Sequence, residues 1–176
     1  MANREALREL QSRLATRLQA ARTEAAYASW LAVEASGQNY LFPLGQAGEI
    51  FPWGKPQPVP YTRSWFLGVA NLRGGLHGVV DFGRFVGRTP STARPEGARS
   101  EARLIGLNAA LELNCTLLID RLAGLRKAED FASSALAPEG SPVYFGTEYI
   151  QADGERWQEI DLQALAQQPA FLSIGA

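Results

Sequence analysis

The sequence is poor in the residues that most often carry catalysis and metal binding. A single cysteine, Cys115, stands among 176 residues, which leaves no intramolecular disulfide and no cysteine-based zinc site. A single histidine, His77, excludes a multi-histidine metal centre, and any histidine-dependent mechanism must pass through it. Apolar runs are only four to six residues long, against the roughly 20 that a membrane span needs. The net charge of −1 gives no global field toward nucleic acid or anionic lipid. No Gly-x-Ser-x-Gly elbow and no Gly-x-x-x-x-Gly-Lys-Ser/Thr loop occurs, and Gly74, Gly75 and Gly78 miss the dinucleotide-binding spacing. His77, in Gly75-Leu76-His77-Gly78-Val79, reads as a strand or turn histidine or as the base of a small β-barrel enzyme. Glu155, Glu159 and Asp161 are close in sequence but lack a calcium-loop pattern, so they read as a solvated face or a cation site. No cofactor and no metal is expected.

What is present is an ordinary globular composition, 46% apolar and 20% charged, enough for one domain or two small ones sharing a core. The N-terminus carries Arg4, Arg8, Arg13, Arg17 and Arg22 without a continuous apolar run, unlike a secretory signal. Glu5, Glu9 and Glu24 argue against a transit peptide, so cytoplasmic residence is expected. Leu7, Leu10, Leu14 and Leu18, continued by Ala21 and Ala25, recur at three- and four-residue spacing and predict an amphipathic helix. Glu9 and Arg13 support its solvent face at i, i+4.

Beyond this leader the pattern is short and strand-like. Trp30 to Val33 and Tyr40 to Phe42 read as a hairpin turning at Gly37. Pro52, Pro56, Pro58 and Pro60 rule out helix and central strand, leaving an extended surface connection. Leu67 to Leu72 and Leu76 to Val80 flank Arg73-Gly74-Gly75, a tight-turn signal, and Phe82 to Val86 fits one helical turn. Thr89 to Ser100 reads as an exposed loop. Strands resume at Arg103 to Leu107 and Thr116 to Ile119, with Leu122 and Leu125 extending the second run past Asp120. Val143 to Ile150 reads as a strand, and Asp161 as the N-cap of a short helix over Leu162 to Gln167. Many short strands between Gly and Pro turns suggest small barrels or a sandwich. Charge is split: Arg84, Arg88, Arg94, Arg99 and Arg103 face only Glu96 and Glu101, whereas eight acids between Glu129 and Asp161 face Arg156 alone. That division reads as solvated surface or as steering of protein partners.

The stretch from Val59 to Gly87 is the most specific. It runs Val59-Pro60, then Gly68-Val69-Ala70-Asn71-Leu72-Arg73-Gly74, then Val79-Val80-Asp81-Phe82. This resembles the signature of the CheW-like family of chemosensory adaptors, in which a Gly-Val-x-Asn-Leu-Arg-Gly core precedes a Val-Ile-Asp-Leu close. Glu49-Ile50, the strand Leu117-Leu118-Ile119-Asp120-Arg121-Leu122 and the closing segment Gly154 to Leu165 extend the resemblance over about residues 30 to 174. The leader and the Trp65 to Asn71 stretch are most similar to the adaptors of type IV pilus (twitching motility) systems.

The resemblance implies a mainly β fold of two intertwined five-stranded SH3-like barrels with an N-terminal amphipathic helix and a short C-terminal helix. It divides the chain into a leader, 1–29, and a CheW-like domain, 30–176. It implies a non-catalytic scaffold, without direct membrane insertion or nucleic-acid binding. That scaffold couples the cytoplasmic tip of a methyl-accepting chemoreceptor to a CheA-type histidine kinase, through the kinase's CheW-like regulatory domain, at arrays on the inner face of the membrane. The alternatives are an adaptor of a flagellar or other array and, more distantly, an enzyme using His77. Ala47, Glu49, Asn71, Leu72, Arg73 and Gly74 are the candidate kinase and receptor interface. Gly75 and Asp81 are structural turn and cap residues, and Leu67, Val69, Leu117 and Ile119 are core or groove-lining residues. The chain departs from the family pattern at Gly78 (often Pro), Gly83 (often Arg), Thr116 (usually Gly) and Ala47 (usually Val).

Overall fold

The computed structural model describes residues 2–27, 29–87 and 99–176, and within the N-terminal helix the side chains of residues 5–20. Most of the loop read over Thr89 to Ser100, with Arg88, Arg94 and Glu96, therefore lies outside the described residues. Helix α1 spans Ala2–Tyr27. The hairpin of β1 (Ser29–Ala35) and β2 (Gln38–Pro43) follows, turning at Ser36-Gly37, where both residues have positive φ. Next come β3 (Ala47–Pro52), the proline-rich connection, β4 (Phe66–Leu72), β5 (Gly75–Asp81), helix α2 (Phe82–Phe85), β6 (Arg103–Leu107) and β7 (Cys115–Ile119). The chain closes with β8 (Arg121–Lys127), β9 (Ser133–Ala135), β10 (Phe145–Ile150), β11 (Arg156–Ile160) and helices α3 (Leu162–Ala166) and α4 (Pro169–Leu172).

The strands form two sheets, β3-β6-β7-β5-β4 and β8-β1-β2-β11-β10-β9. The sheets are intertwined: β1 and β2 precede the five-stranded sheet in sequence, yet pair with strands that follow it. The join is the parallel pairing of β2 with β11, Tyr40 opposite Gln158. The second sheet has six strands where five were expected, because Ser133–Ala135 adds a short edge strand to β10.

Side-chain alternation explains why the strands read as unbroken apolar runs. Leu31, Val33 and Ala35 of β1, Tyr40 and Phe42 of β2, Ile105 and Leu107 of β6, and Cys115, Leu117 and Ile119 of β7 point into one shared core between the sheets. The intervening residues point the other way. Trp30, Ala32, Leu41 and Trp157 fill the inside of the six-stranded sheet, and Phe51, Val79, Leu104 and Leu118 that of the five-stranded sheet. A strand that buries both faces needs apolar residues at every position. Cys115 belongs to the shared core, where burial pushes its thiol up to about 12, out of the nucleophilic range.

Three readings of the sequence need correction. The apolar run from Thr116 to Leu125 is two strands, broken at Asp120, whose Oδ2 accepts the Ser36 N–H at 2.7 Å at the joint between the sheets. The strand read from Val143 begins at Phe145, and a second short helix, α4, opens on Pro169. Of the two readings given for Leu117 and Ile119, core or groove lining, their full burial in the shared core is that of core residues. The two expected caps are in place. Asp81 Oδ1 accepts the Arg84 N–H at 3.2 Å at the start of α2, and Asp161 Oδ1 accepts the Ala164 N–H at 3.0 Å at the start of α3.

Candidate interface at the seam of the five-stranded sheet

The five-stranded sheet curls so that its edge strands, β3 and β4, approach each other. Backbone closes part of the seam. Gln57, in the proline-rich connection, donates its N–H to the Val69 carbonyl at 2.8 Å and accepts the Val69 N–H at 2.9 Å. The prolines on either side cannot donate, so a single residue pairs and the segment stays an edge feature. Gly68 permits this approach: its φ is +133°, and a Cβ there would lie 2.0 Å from the Gln57 carbonyl oxygen.

A side-chain pair closes the rest. Arg73 and Gly74 both have positive φ (48° and 82°) between the paired residues Leu72 and Gly75, the geometry of a two-residue turn matched to strand twist. Asn71 Oδ1 accepts the Gly74 N–H at 3.1 Å and holds the turn. From that turn Arg73 reaches across the seam and places Nη1 2.5 Å from Glu49 Oε1 on β3. Both side chains are solvent-facing, 76% and 41% exposed, so solvent screens the pair. Two residues picked separately in the sequence are thus partners, and the pair bridges the edges of one sheet.

The other candidates divide by position. Ala47 is half-buried on β3 opposite Leu107, packed against the shared core. Leu72 and Leu67 pack partly against the core inside the five-stranded sheet, and Val69 is half-buried beside Gln57. Gly75 faces Leu72, and a Cβ on it would lie 3.1 Å from His77 Nε2. Asp81 is buried, receives the Trp65-bounded turn through its own N–H to the Trp65 carbonyl at 2.8 Å, and sits away from solvent. Reading by motif passed over two surface residues. Ile50, next to Glu49, is 40% exposed, and Leu76, the cross-strand partner of Asn71, is 64% exposed. Their signal was an apolar side chain on a strand whose alternate residues already fill a core.

The residues weighed for chemistry do not converge. His77 packs near Phe51, with ring centroids 6.2 Å apart, and its Nδ1 is buried without a hydrogen-bond partner, so no carboxylate orients it. Glu155 accepts from Asn39 Nδ2 at 3.0 Å, Glu159 from Trp30 Nε1 at 2.6 Å, and Asp161 from Gln46 Nε2 at 3.1 Å, which sends the three acids to different partners. Among the described residues no group of three or more His, Cys, Asp or Glu side chains is placed to hold a metal ion, and no helix is long and apolar enough to cross a membrane.

A mainly β body of two intertwined sheets is the architecture that the sequence signature implies, and the comparison with known families agrees. Residues 29–170 match the CheW-like domain, and the chain belongs to that family. It is similar to the protein PilI of Pseudomonas aeruginosa, with 25% identity over 139 residues that cover 78% of this chain and 75% of the relative. Among solved structures, the scaffolding protein TtCheW from Thermoanaerobacter tengcongensis aligns with a TM-score of 0.61 over 76% of this chain and 88% of its own, at 14% identity, a likeness of fold.

Proposed function

We propose that the chain is a non-catalytic adaptor coupling a methyl-accepting chemoreceptor to a CheA-type histidine kinase. The system it serves is the chemosensory one that controls type IV pilus twitching motility. Family membership supports the adaptor role, and the similarity to PilI supports the pilus assignment. The observation that carries the reading is the Arg73–Glu49 pair. Of the candidate interface residues Ala47, Glu49, Asn71, Leu72, Arg73 and Gly74, it joins Glu49 to the turn that carries Asn71, Arg73 and Gly74. Ala47 and Leu72 support the seam from the core side, and Ile50 and Leu76 are exposed beside it. An exposed ion pair flanked by apolar residues can exchange its internal partner for one on another protein at little cost. In this reading the leader is 1–29, the CheW-like domain is 30–176, and the protein works at receptor arrays on the cytoplasmic face of the membrane.

The test is a titration of the purified chain with the CheW-like regulatory domain of the kinase and, separately, with a receptor tip fragment. Glu49→Arg and Arg73→Glu are expected to weaken capture of at least one partner by tenfold or more with an unchanged melting temperature. Unchanged affinity for both partners overturns the assignment of the seam.

A further inference from the structure

Helix α1 is not accounted for by the adaptor body. Its described side chains, Glu5 to Ala20, are all exposed, and Leu7, Leu10, Leu14 and Leu18 are between 52% and 62% exposed. A helix of 26 residues extends about 39 Å at 1.5 Å per residue. Isolated helices gain little from propensity alone, so a row of four exposed leucines on one is a face without its cover.

The spacing of that face says what kind of cover fits. The positions 7, 10, 14 repeat as 18, 21, 25, each eleven residues later, with Ala at the last two. An eleven-residue period sits close to the natural pitch of the α-helix and keeps a seam almost straight along the rod. One apolar residue per turn makes a narrow seam, the width that another helix covers; a face lying in a lipid surface is broader and carries Trp or Phe. Residues 2–26 contain neither.

The charges beside the seam say which helix. At about 100° per residue, Arg17 falls about 20° and Arg13 about 60° from Leu10 on one flank, and Arg8 falls about 80° from Leu18 on the other. Glu5 and Glu9 lie about 180° and 140° from Leu14, on the far side. Arg13 is held by Glu9 at 2.8 Å, which draws that acid to the outer face. A second copy of α1 would set these arginines, together with Arg4 and Arg22, against one another in either orientation, and position 24, about 40° from Leu10, is the one glutamate beside the seam to answer five arginines.

We infer that α1 is one half of a heterotypic helix pair, and that its occupant is a nearly straight amphipathic helix of another protein with an apolar seam of matching period and acidic flanks. This contact is separate from the barrel seam and does not depend on the adaptor assignment. The probe is a synthetic helical peptide carrying leucines at the same 3-4-4 spacing with glutamates flanking them, and a control peptide with lysines there. The full chain is expected to bind the glutamate peptide, with affinity falling as salt rises, and to bind the lysine peptide at least tenfold more weakly. Leu10→Asp and Leu14→Asp are each expected to cut binding at least tenfold while leaving the near-ultraviolet circular dichroism of the barrels unchanged. Three results each overturn the inference. The glutamate peptide fails to bind or binds no better than the lysine peptide. The full chain sediments as a dimer that Leu14→Asp dissociates. The chain binds phosphatidylglycerol vesicles through α1 in preference to the glutamate peptide.

Discussion

The two sheets close in opposite ways. The six-stranded sheet is sealed from within by aromatic rings: Trp30 on β1 stands 4.7 Å from Tyr149 and 6.1 Å from Phe131, ring centroid to ring centroid, and Trp30 is buried. The five-stranded sheet is sealed from outside by one residue of backbone pairing and one solvent-facing ion pair. Aromatic burial is worth several kilocalories and cannot be undone without exposing a core. A screened surface pair is worth a fraction of that and can be opened by a competitor. One closure therefore belongs to stability, and the other is free to be used.

Substitutions at the two closures separate these roles. Trp30→Ala removes the ring that Phe131 and Tyr149 pack on and leaves the Glu159 carboxylate without its indole donor, so a loss of about 3–5 kcal/mol is expected by chemical denaturation. A loss below 1 kcal/mol would mean that the rings do not carry the closure. Gly68→Val drives a Cβ into the Gln57 carbonyl and demands a φ that β-branched residues avoid, a cost of about 2–3 kcal/mol. Its signature is local, with faster amide exchange at Val69 and unchanged Trp30 fluorescence.

The pH dependence belongs to the aromatic side. Burial raises the Glu159 carboxyl above its ordinary value, the Trp30 hydrogen bond opposes that rise, and Asp161 adds to it. A raised folded-state value means that the folded protein holds this proton more tightly than the unfolded chain. The associated stability is full below the ordinary glutamate value of about 4.3 and is lost as pH rises through the raised value. Glu159→Gln, which keeps an acceptor for Trp30, is expected to flatten the stability curve across that window. An unaltered profile would show that the carboxyl does not titrate there. The smallest effect is expected at the other seam: Arg73→Ala changes stability by less than about 1 kcal/mol, and a larger loss would make the pair a structural clasp.

What the sequence revealed and what it concealed follow from the range of the interactions. The β4–β5 hairpin was legible because Arg73-Gly74-Gly75 specifies its turn locally, and the caps at Asp81 and Asp161 because each acts within three residues. β3 was hidden, since Ala47-Gly48-Glu49-Ile50-Phe51-Pro52 has little β-propensity and takes its pairing from β6, far along the chain. β9 was hidden too, being three small exposed residues held only by β10. The break at Asp120 was masked because the run is apolar on both sides of it. The link between Glu49 and Arg73 was invisible because it depends on the sheet curling. Some departures from the family pattern gain a reason in contact. Thr116 Oγ1 donates to the Gly78 carbonyl at 3.3 Å, so two departures meet each other. A Cβ at Gly83 would lie 2.0 Å from Ser36 Oγ and 2.9 Å from its Cβ, leaving no room for the family's arginine unless Ser36 moves.

The parallel join of β2 to β11 also orders the birth of the molecule on the ribosome. Every strand of the five-stranded sheet has been synthesised once Ile119 has left the exit tunnel. β1 and β2, made earlier, must wait for Gln158 and Glu159 before their last neighbour exists. Through that interval β2 keeps an unpaired apolar edge, Tyr40 to Phe42, beside a hairpin whose other edge and one face already have partners, and this edge is the segment a holding chaperone would find first.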